Sequence, residues 1–431
     1  MNWSILYRLL TLAALPFALV YHWYRSISRG RRSAFGERFG FLPVAAQKSL
    51  AGQPVIWLHA VSVGEVIAGR PLLKGLQQRY PEYRLLLSVT TETGRSVAER
   101  DQLADVITYF PFDIHFAVCR LLDAVRPRAI VIMETEIWPV FTYEAQRRSI
   151  PLLLANGRIS ARSFPRYRRF AWFFRPVLQR FSGLGMQSMA DLERILAIGA
   201  PGTRSRVLGN LKYDIPFSPV AAGERGQLRQ LYRIPADLAV FCCGSTHPGE
   251  EEPLLAAYQG LLRQFPGLLL VLVPRHPERV VEVETLACAL GLTVVRRSRL
   301  DQQPEGCSAG MVLLVDTVGE LMQLYALSDL AYVGGSLVPT GGHNLLEPAS
   351  RGIPILFGPH MDNFQEITAL AHAYGAGVQV AGQQELQDAA ADFLATPELR
   401  HVVGNNGLKL LRDSGGAVER HLAMLHEVLQ Q

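Results

Sequence analysis

Residues 54–80 read PVIWLHAVSVGEVIAGRPLLKGLQQRY. The chain is apolar almost without a break from Pro54 to Val61, then passes through Ser62-Val63-Gly64-Glu65 into a stretch with helical spacing. A strand buried on both faces shows no alternation, because neither face meets water. The stretch therefore predicts a buried parallel strand, a short turn and a crossover helix. Glu65 stands at the lip of the turn. It is either a first-turn carboxylate favoured by the helix dipole or a base aimed at something beyond the strand end.

The same unit recurs on both sides of a break. RLLLSVT (84–90), RAIVIME (128–134) and PLLLANG (151–157) are each followed by ten or more residues of amphipathic or arginine-rich sequence. LAVFCCGSTH (238–247), GLLLVLVPRH (267–276) and MVLLVD (311–316) begin a second series. Between the two series lies GNLKYDIPFSPVAAGERG (209–226), rich in proline and glycine. A chain of 431 residues exceeds one ordinary core. The predicted organisation is an N-terminal segment 1–32, an α/β domain 33–212, a linker 213–226 and a second α/β domain 227–431. The last helix is free to pack back on the N-terminal domain. Each domain reads as a doubly wound sheet, whose ligands bind beyond the strand carboxyl ends.

Composition narrows the classes. Net charge is +5 and the pI about 9.0, which suits acidic ligands or an anionic membrane surface. The five cysteines form no CxxC pair and no zinc spacing, so a disulfide framework is not expected and a reducing compartment is. Trp3–Tyr24 is apolar apart from Arg8, has aromatic ends, and is followed by Arg25, Arg29, Arg31 and Arg32. That pattern predicts a membrane-anchor helix with a cytoplasmic basic flank; a buried N-terminal helix is the alternative.

The strand ends carry residues that packing does not demand. Met133-Glu134-Thr135-Glu136 places two carboxylates after a buried run. Glu134 reads as a functional acid rather than a metal ligand, because no second cluster of oxygen ligands accompanies it. A helix start rich in glutamate, with Pro139 near its first turn, is the plainer reading. Gly244–Pro248 offers small residues and backbone donors to a phosphate, or else a simple cap. Arg275 is placed to fork a phosphate or carboxylate. GGSLVPTGGHNLLEP (334–348) has four glycines, His343, and Asn344 three residues before Glu347. A capping box accounts for Asn344 and Glu347. A nucleotide-binding loop accounts for these residues, the glycines and His343 together. Neither a P-loop nor a GxGxxG after the first strand occurs, which argues against ordinary ATPases and NAD enzymes.

Eight motifs now stand in order: HAVSVGEV, METEIWP, NGRIS, GNLKYD, STHPGEE, VPRHPER, DTVGEL and GGSLVPTGGHNLLEP, from His59 to Pro348. With them the chain resembles the 3-deoxy-D-manno-octulosonic acid (Kdo) transferases of lipopolysaccharide synthesis, over nearly its whole length. It departs from the usual motifs at Gly157, where alanine is common, and at Val318, where methionine is common.

The resemblance implies a GT-B glycosyltransferase fold, two Rossmann-like domains facing a cleft, with an N-terminal membrane-anchor helix. It implies transfer of Kdo from CMP-Kdo to the glucosamine disaccharide of a lipid A precursor (lipid IVA), with inversion. Glu65 is implied as the general base, with Glu134 and Lys212 stabilising the transition state. Pro274, Arg275, Val318, Gly319, Glu320, Asn344, Leu345, Leu346 and Glu347 are implied as the CMP contacts. No metal and no cofactor are implied, since CMP-Kdo is the donor substrate. The implied location is the inner membrane, with the catalytic domains on the cytoplasmic side.

Gly157–Phe181 carries seven arginines among Phe, Trp and Tyr, a composition that suits headgroup phosphates and inner-membrane lipids. A long helix with a solvated basic face is the alternative. Nothing else in the chain supports a nucleic-acid partner. Two rival functions remain at this stage: a UDP-sugar enzyme of the same architecture, either a transferase or an epimerase, and a non-catalytic membrane-tethered glycolipid-binding module.

Overall fold

The computed structural model describes residues 34–430 except Pro304, together with Tyr7, Thr11, Ala13, 15–17 and Val20. The chain forms two compact units. The first runs up to Asp214 and takes in Ser414–Gln431; the second is Ile215–Asp413.

The first unit is built on a seven-stranded sheet, all pairs parallel, in the order β3-β2-β1-β4-β5-β6-β7. Its strands are β1 (Val55–Ala60), β2 (Arg84–Val89), β3 (Val106–Tyr109), β4 (Ala129–Met133), β5 (Leu152–Gly157), β6 (Gly183–Met186) and β7 (Ser205–Val207). Every residue of β1, β4 and β5 is buried, as expected of apolar strands covered by helices on both faces. Trp57 in β1 keeps its one polar atom satisfied by donating to Ser88 Oγ at 2.7 Å. Strand order reverses between β1 and β4, so the connections that leave them part in opposite directions and open a crevice. Helix α1 (Val63–Arg79) follows β1, and helix α2 (Pro139–Arg147) follows β4.

The C-terminal helix, Ala417–Leu429, belongs to this unit and packs on α1 and β6. Glycines make the close approach possible. A Cβ on Gly185 would stand 2.9 Å from His421 Nε2, and one on Gly183 would stand 2.8 Å from Met424 Sδ. Asp214 fixes the return, its carboxylate accepting from the N–H groups of Gly416 and Val418. The second-domain range 227–431 is thereby shortened at its end.

The second unit repeats the architecture with the order β10-β11-β9-β8-β12-β13-β14, again all parallel. Its strands are β8 (Ala239–Thr246), β9 (Leu268–Pro274), β10 (Val294–Arg296), β11 (Val312–Leu314), β12 (Leu330–Val333), β13 (Ile355–Phe357) and β14 (Gly377–Gln379). The reversal falls between β8 and β12. Helix α3 (Glu251–Leu262) follows β8, and the short helix α4 (Leu346–Ala349) follows the glycine-rich loop beyond β12. The expected linker 213–226 ends inside a helix of this unit, Ala222–Leu231. Arg225 pairs with Asp329 at 2.7 Å and Glu224 pairs with Arg351, so this end of the segment is fixed.

The predicted anchor, Trp3–Tyr24, lies mostly outside the described residues. Among the described residues no helix is long and apolar enough to cross a membrane. The Tyr7 hydroxyl donates to the buried Asp113 at 2.9 Å. All five cysteines are free.

Candidate active site

Glu65 and Glu134 follow β1 and β4, the two strands at the reversal of the first sheet. Ser62 is the N-cap of α1, its Oγ accepting from the Glu65 N–H at 3.4 Å. The Glu65 carboxyl turns back toward the strand end, where Oε2 accepts from the Val61 N–H at 2.8 Å and Oε1 from Ser62 Oγ at 3.0 Å. The carboxyl thus closes the start of α1 in the manner of a capping box, but reaching the N–H of the residue before the N-cap, so Glu65 does serve the helix start. The group is also electrostatically unusual. Burial pushes its pKa up to about 7; the Val61 N–H opposes that, and the carboxylates of Glu134 and Glu136 add to it. A carboxyl with that pKa changes its protonation state near neutral pH.

Glu134 is half-buried and has φ 55°, a left-handed backbone uncommon for a residue with a side chain. Its N–H is held by the Ala155 carbonyl at 2.8 Å. Non-glycine residues in this region collect at functional sites, because the surrounding structure must hold them there. Glu136, also half-buried, has its pKa raised by burial and then by Glu134. Three carboxyls thus share the mouth of one sheet.

Lys212 is exposed on a 3₁₀ turn, Leu211–Tyr213, that packs on α1. Asn156, at the end of β5, positions that turn. Its Oδ1 accepts from the Leu211 N–H at 3.0 Å, and its own N–H donates to His421 Nε2 at 3.0 Å. His421 Nδ1 lies 2.7 Å from the Ala417 carbonyl, which places the proton on Nδ1 and leaves Nε2 as the acceptor. The C-terminal helix therefore helps to set the residues around Lys212, a link no local motif could show.

In the second unit Pro274 ends β9 and Arg275 follows it, exposed. Arg275 acts electrostatically on Glu347, opposing the rise that burial imposes on the Glu347 carboxyl, and it also acts on His247 and His343. These groups therefore converge. Asn344 Oδ1 accepts from the Leu346 N–H at 3.1 Å, at the first residue of α4. Leu345 and Leu346 are both 1% exposed; as ligand contacts they offer only their main chain. Val318, 83% exposed, and Gly319 lie on a turn beyond β11. Glu320 is committed to the Tyr232 hydroxyl at 2.7 Å and Arg297 Nε at 3.0 Å.

Gly244–Pro248 reads from sequence either as a phosphate contact or as a simple cap. In the structure one of its main-chain donors and three of the glycine-rich loop hold the buried carboxylate of Glu250. It accepts from the N–H groups of His247 (2.9 Å), Gly335 (2.6 Å), Ser336 (2.9 Å) and Leu337 (2.9 Å), and from the Tyr332 hydroxyl (2.7 Å). Gly334 must lack a side chain, since a Cβ there would stand 2.4 Å from the Ser245 carbonyl oxygen. The same motif supplies Glu251, which binds Arg279 at 2.8 Å. Much of STHPGEE thus builds the loop. The signal for Glu250 was its place three residues after His247, a spacing at which a carboxylate reaches back to a main-chain N–H.

The family described as 3-deoxy-D-manno-octulosonic-acid transferase (kdotransferase) matches residues 33–215. Over 432 residues the chain is 34% identical to the 3-deoxy-D-manno-octulosonic acid transferase of Haemophilus influenzae, covering 100% of this chain and 99% of that one. The chain belongs to the Kdo transferase family. It is accordingly a glycosyltransferase. It is also 32% identical over 408 residues to the transferase of that name from Bordetella pertussis, covering 91% of each chain. A UDP-GlcNAc 2-epimerase from Neisseria meningitidis, solved with UDP-GlcNAc, superposes with a TM-score of 0.56, covering 87% of this chain and 100% of that one at 13% identity. That likeness concerns fold alone. It agrees with the α/β architecture of two parallel sheets that the sequence predicts for this Kdo transferase.

Proposed function

We propose that the protein transfers Kdo from CMP-Kdo to the glucosamine disaccharide of a lipid A precursor of the lipid IVA type, with inversion, in lipopolysaccharide synthesis. The observation that carries the reading is Glu65: a carboxyl with a pKa of about 7, at the mouth of the first sheet, beside Glu134. In the step proposed, an acceptor hydroxyl oxygen attacks the anomeric carbon and gives its proton to Glu65. The bond from that carbon to the phosphate oxygen breaks, and its electron pair stays on the departing CMP. Lys212 and Glu134 stabilise the charge that shifts in the transition state.

In the donor site, Arg275 answers the phosphate and Glu347 the ribose hydroxyls, with main-chain contacts from Pro274, Val318, Gly319 and Asn344–Leu346. Glu320 supports the loop through Tyr232 and Arg297. The chemistry requires no cofactor and no metal.

The acceptor and the membrane are read from the arginine-rich segment. It folds as two short helices, Phe164–Arg169 and Ala171–Leu178, in place of one long helix. Trp172 is 61% exposed and Phe170 43%, and Arg166, Arg168, Arg169 and Arg175 are exposed around them. Aromatic side chains beside cations suit the interfacial zone of an anionic membrane. The protein would work at the inner membrane, with Trp3–Tyr24 as its anchor.

Donor choice tests the reading against a UDP-sugar enzyme. CMP competes for the donor site and UDP does not; inhibition by UDP alone would reject the proposal. The pH profile supplies a second test. Only ionised Glu65 accepts a proton, so kcat/KM rises with pH through about 7 and falls about tenfold per unit below it. A rate that is flat from about pH 5 to 8 contradicts a base with this pKa.

A further inference from the structure

The roles proposed above leave two histidines without a task. His247 follows β8 and His343 follows the loop beyond β12, the two strands at the reversal of the second sheet. Their rings stack with centroids 5.1 Å apart and planes 21° apart, and their Nε2 atoms are 2.9 Å apart. Gly335 makes room for the pair: at φ +67°, a Cβ would stand 3.1 Å from His343 Cδ2 and 3.3 Å from His247 Cδ2. Neither Nδ1 has a hydrogen-bond partner among the described residues, so each ring keeps one nitrogen for a ligand.

One hydrogen occupies the Nε2···Nε2 contact, so one ring donates and the other accepts. Two imidazolium rings would set hydrogen against hydrogen there. The intact pair therefore carries a charge of zero or one. The charged and titratable groups that act on it are Arg275 and His276 from the segment after β9, and Glu250 and Glu251 at the start of α3. Burial, then His247, then Arg275 pull the His343 pKa down to about 4, with Glu250 opposing. Burial also lowers the His247 pKa, with Glu250 opposing and His276 and Arg275 adding to the fall. Both rings thus favour the neutral form, and an arriving anion opposes that preference.

We propose that the His247–His343 pair is a phosphate contact of the donor subsite and takes up one proton as the nucleotide phosphate binds. This rests on the donor reading above. During transfer the electron pair of the broken bond stays on the phosphate oxygen and the acceptor proton goes to Glu65. The histidine pair exchanges no proton in that step. It holds a cationic N–H toward the phosphate as negative charge gathers on it.

The test is calorimetry on the full chain with cytidine 5′-(methyl phosphate), a diester whose charge is fixed across the range used. Buffers of different ionisation heat report the protons bound. The wild type takes up a large fraction of one proton per ligand and binds several-fold more tightly per unit fall between about pH 7.5 and 5.5. His247→Gln and His343→Gln retain hydrogen-bonding capacity but lose the uptake, and bind the diester about tenfold more weakly while cytidine binding is unchanged. Thermal unfolding of each variant reports whether it is folded. No uptake in the wild type, uptake that persists in both variants, or an equal loss for cytidine and the diester overturns the proposal. If the cytidine diester does not bind and its uridine counterpart does, the donor reading itself fails.

Discussion

Glu65→Gln lowers kcat by about 10²–10⁴-fold and leaves the protein folded. The amide is nearly the same size as the carboxyl. Its oxygen still accepts from Val61, and its nitrogen still faces Ser62 Oγ, which accepts as readily as it donates. The start of α1 is therefore preserved, and only the capacity to take a proton is lost. Substrate binding changes little, so the loss appears in kcat more than in KM. Wild-type turnover in Glu65→Gln would mean that this glutamate caps a helix and does nothing more. A fall in activity matched by a large fall in Tm would carry the same message.

Glu250→Ala destabilises the second unit by at least about 4 kcal/mol, the largest structural effect expected in the chain. Four main-chain N–H groups and one hydroxyl lose their shared acceptor. Each buried donor left unpaired costs about 1–3 kcal/mol. The carboxylate holds three successive amides of the glycine-rich loop, so those of Gly335, Ser336 and Leu337 lose their protection together. Hydrogen exchange and thermal unfolding read both effects. A variant that unfolds at the wild-type temperature with those amides still protected would show that the carboxylate is dispensable.

These two glutamates show what the sequence could disclose. Strands such as PVIWLHAV and RAIVIME were legible because a parallel strand covered on both faces is apolar throughout, and both stand at the centre of the first sheet. Glu65 and Glu134 were legible as strand-end residues, and their convergence follows from the order β1-β4. Glu250 was not, because its main partners lie 85 to 87 residues away. A local reading of the glycine loop cannot show that a distant carboxylate takes the N–H groups of Gly335, Ser336 and Leu337. The return of the C-terminal helix was hidden for a similar reason. Short β6, GLGM, has weak strand propensity, and its glycines leave room for distant side chains, His421 and Met424 among them. Leu345 and Leu346 gave no sign that the core would take their side chains.

The most direct test of the central claim is a transfer assay. Purified protein receives CMP-Kdo generated in situ and a tetraacylated lipid A precursor, with Glu65→Gln run in parallel and products read by mass spectrometry. The account predicts acceptor that gains the mass of one or more Kdo units, with inverted anomeric configuration, and almost none in the variant. Acceptor unchanged in mass, with the donor shown to be intact, would contradict it.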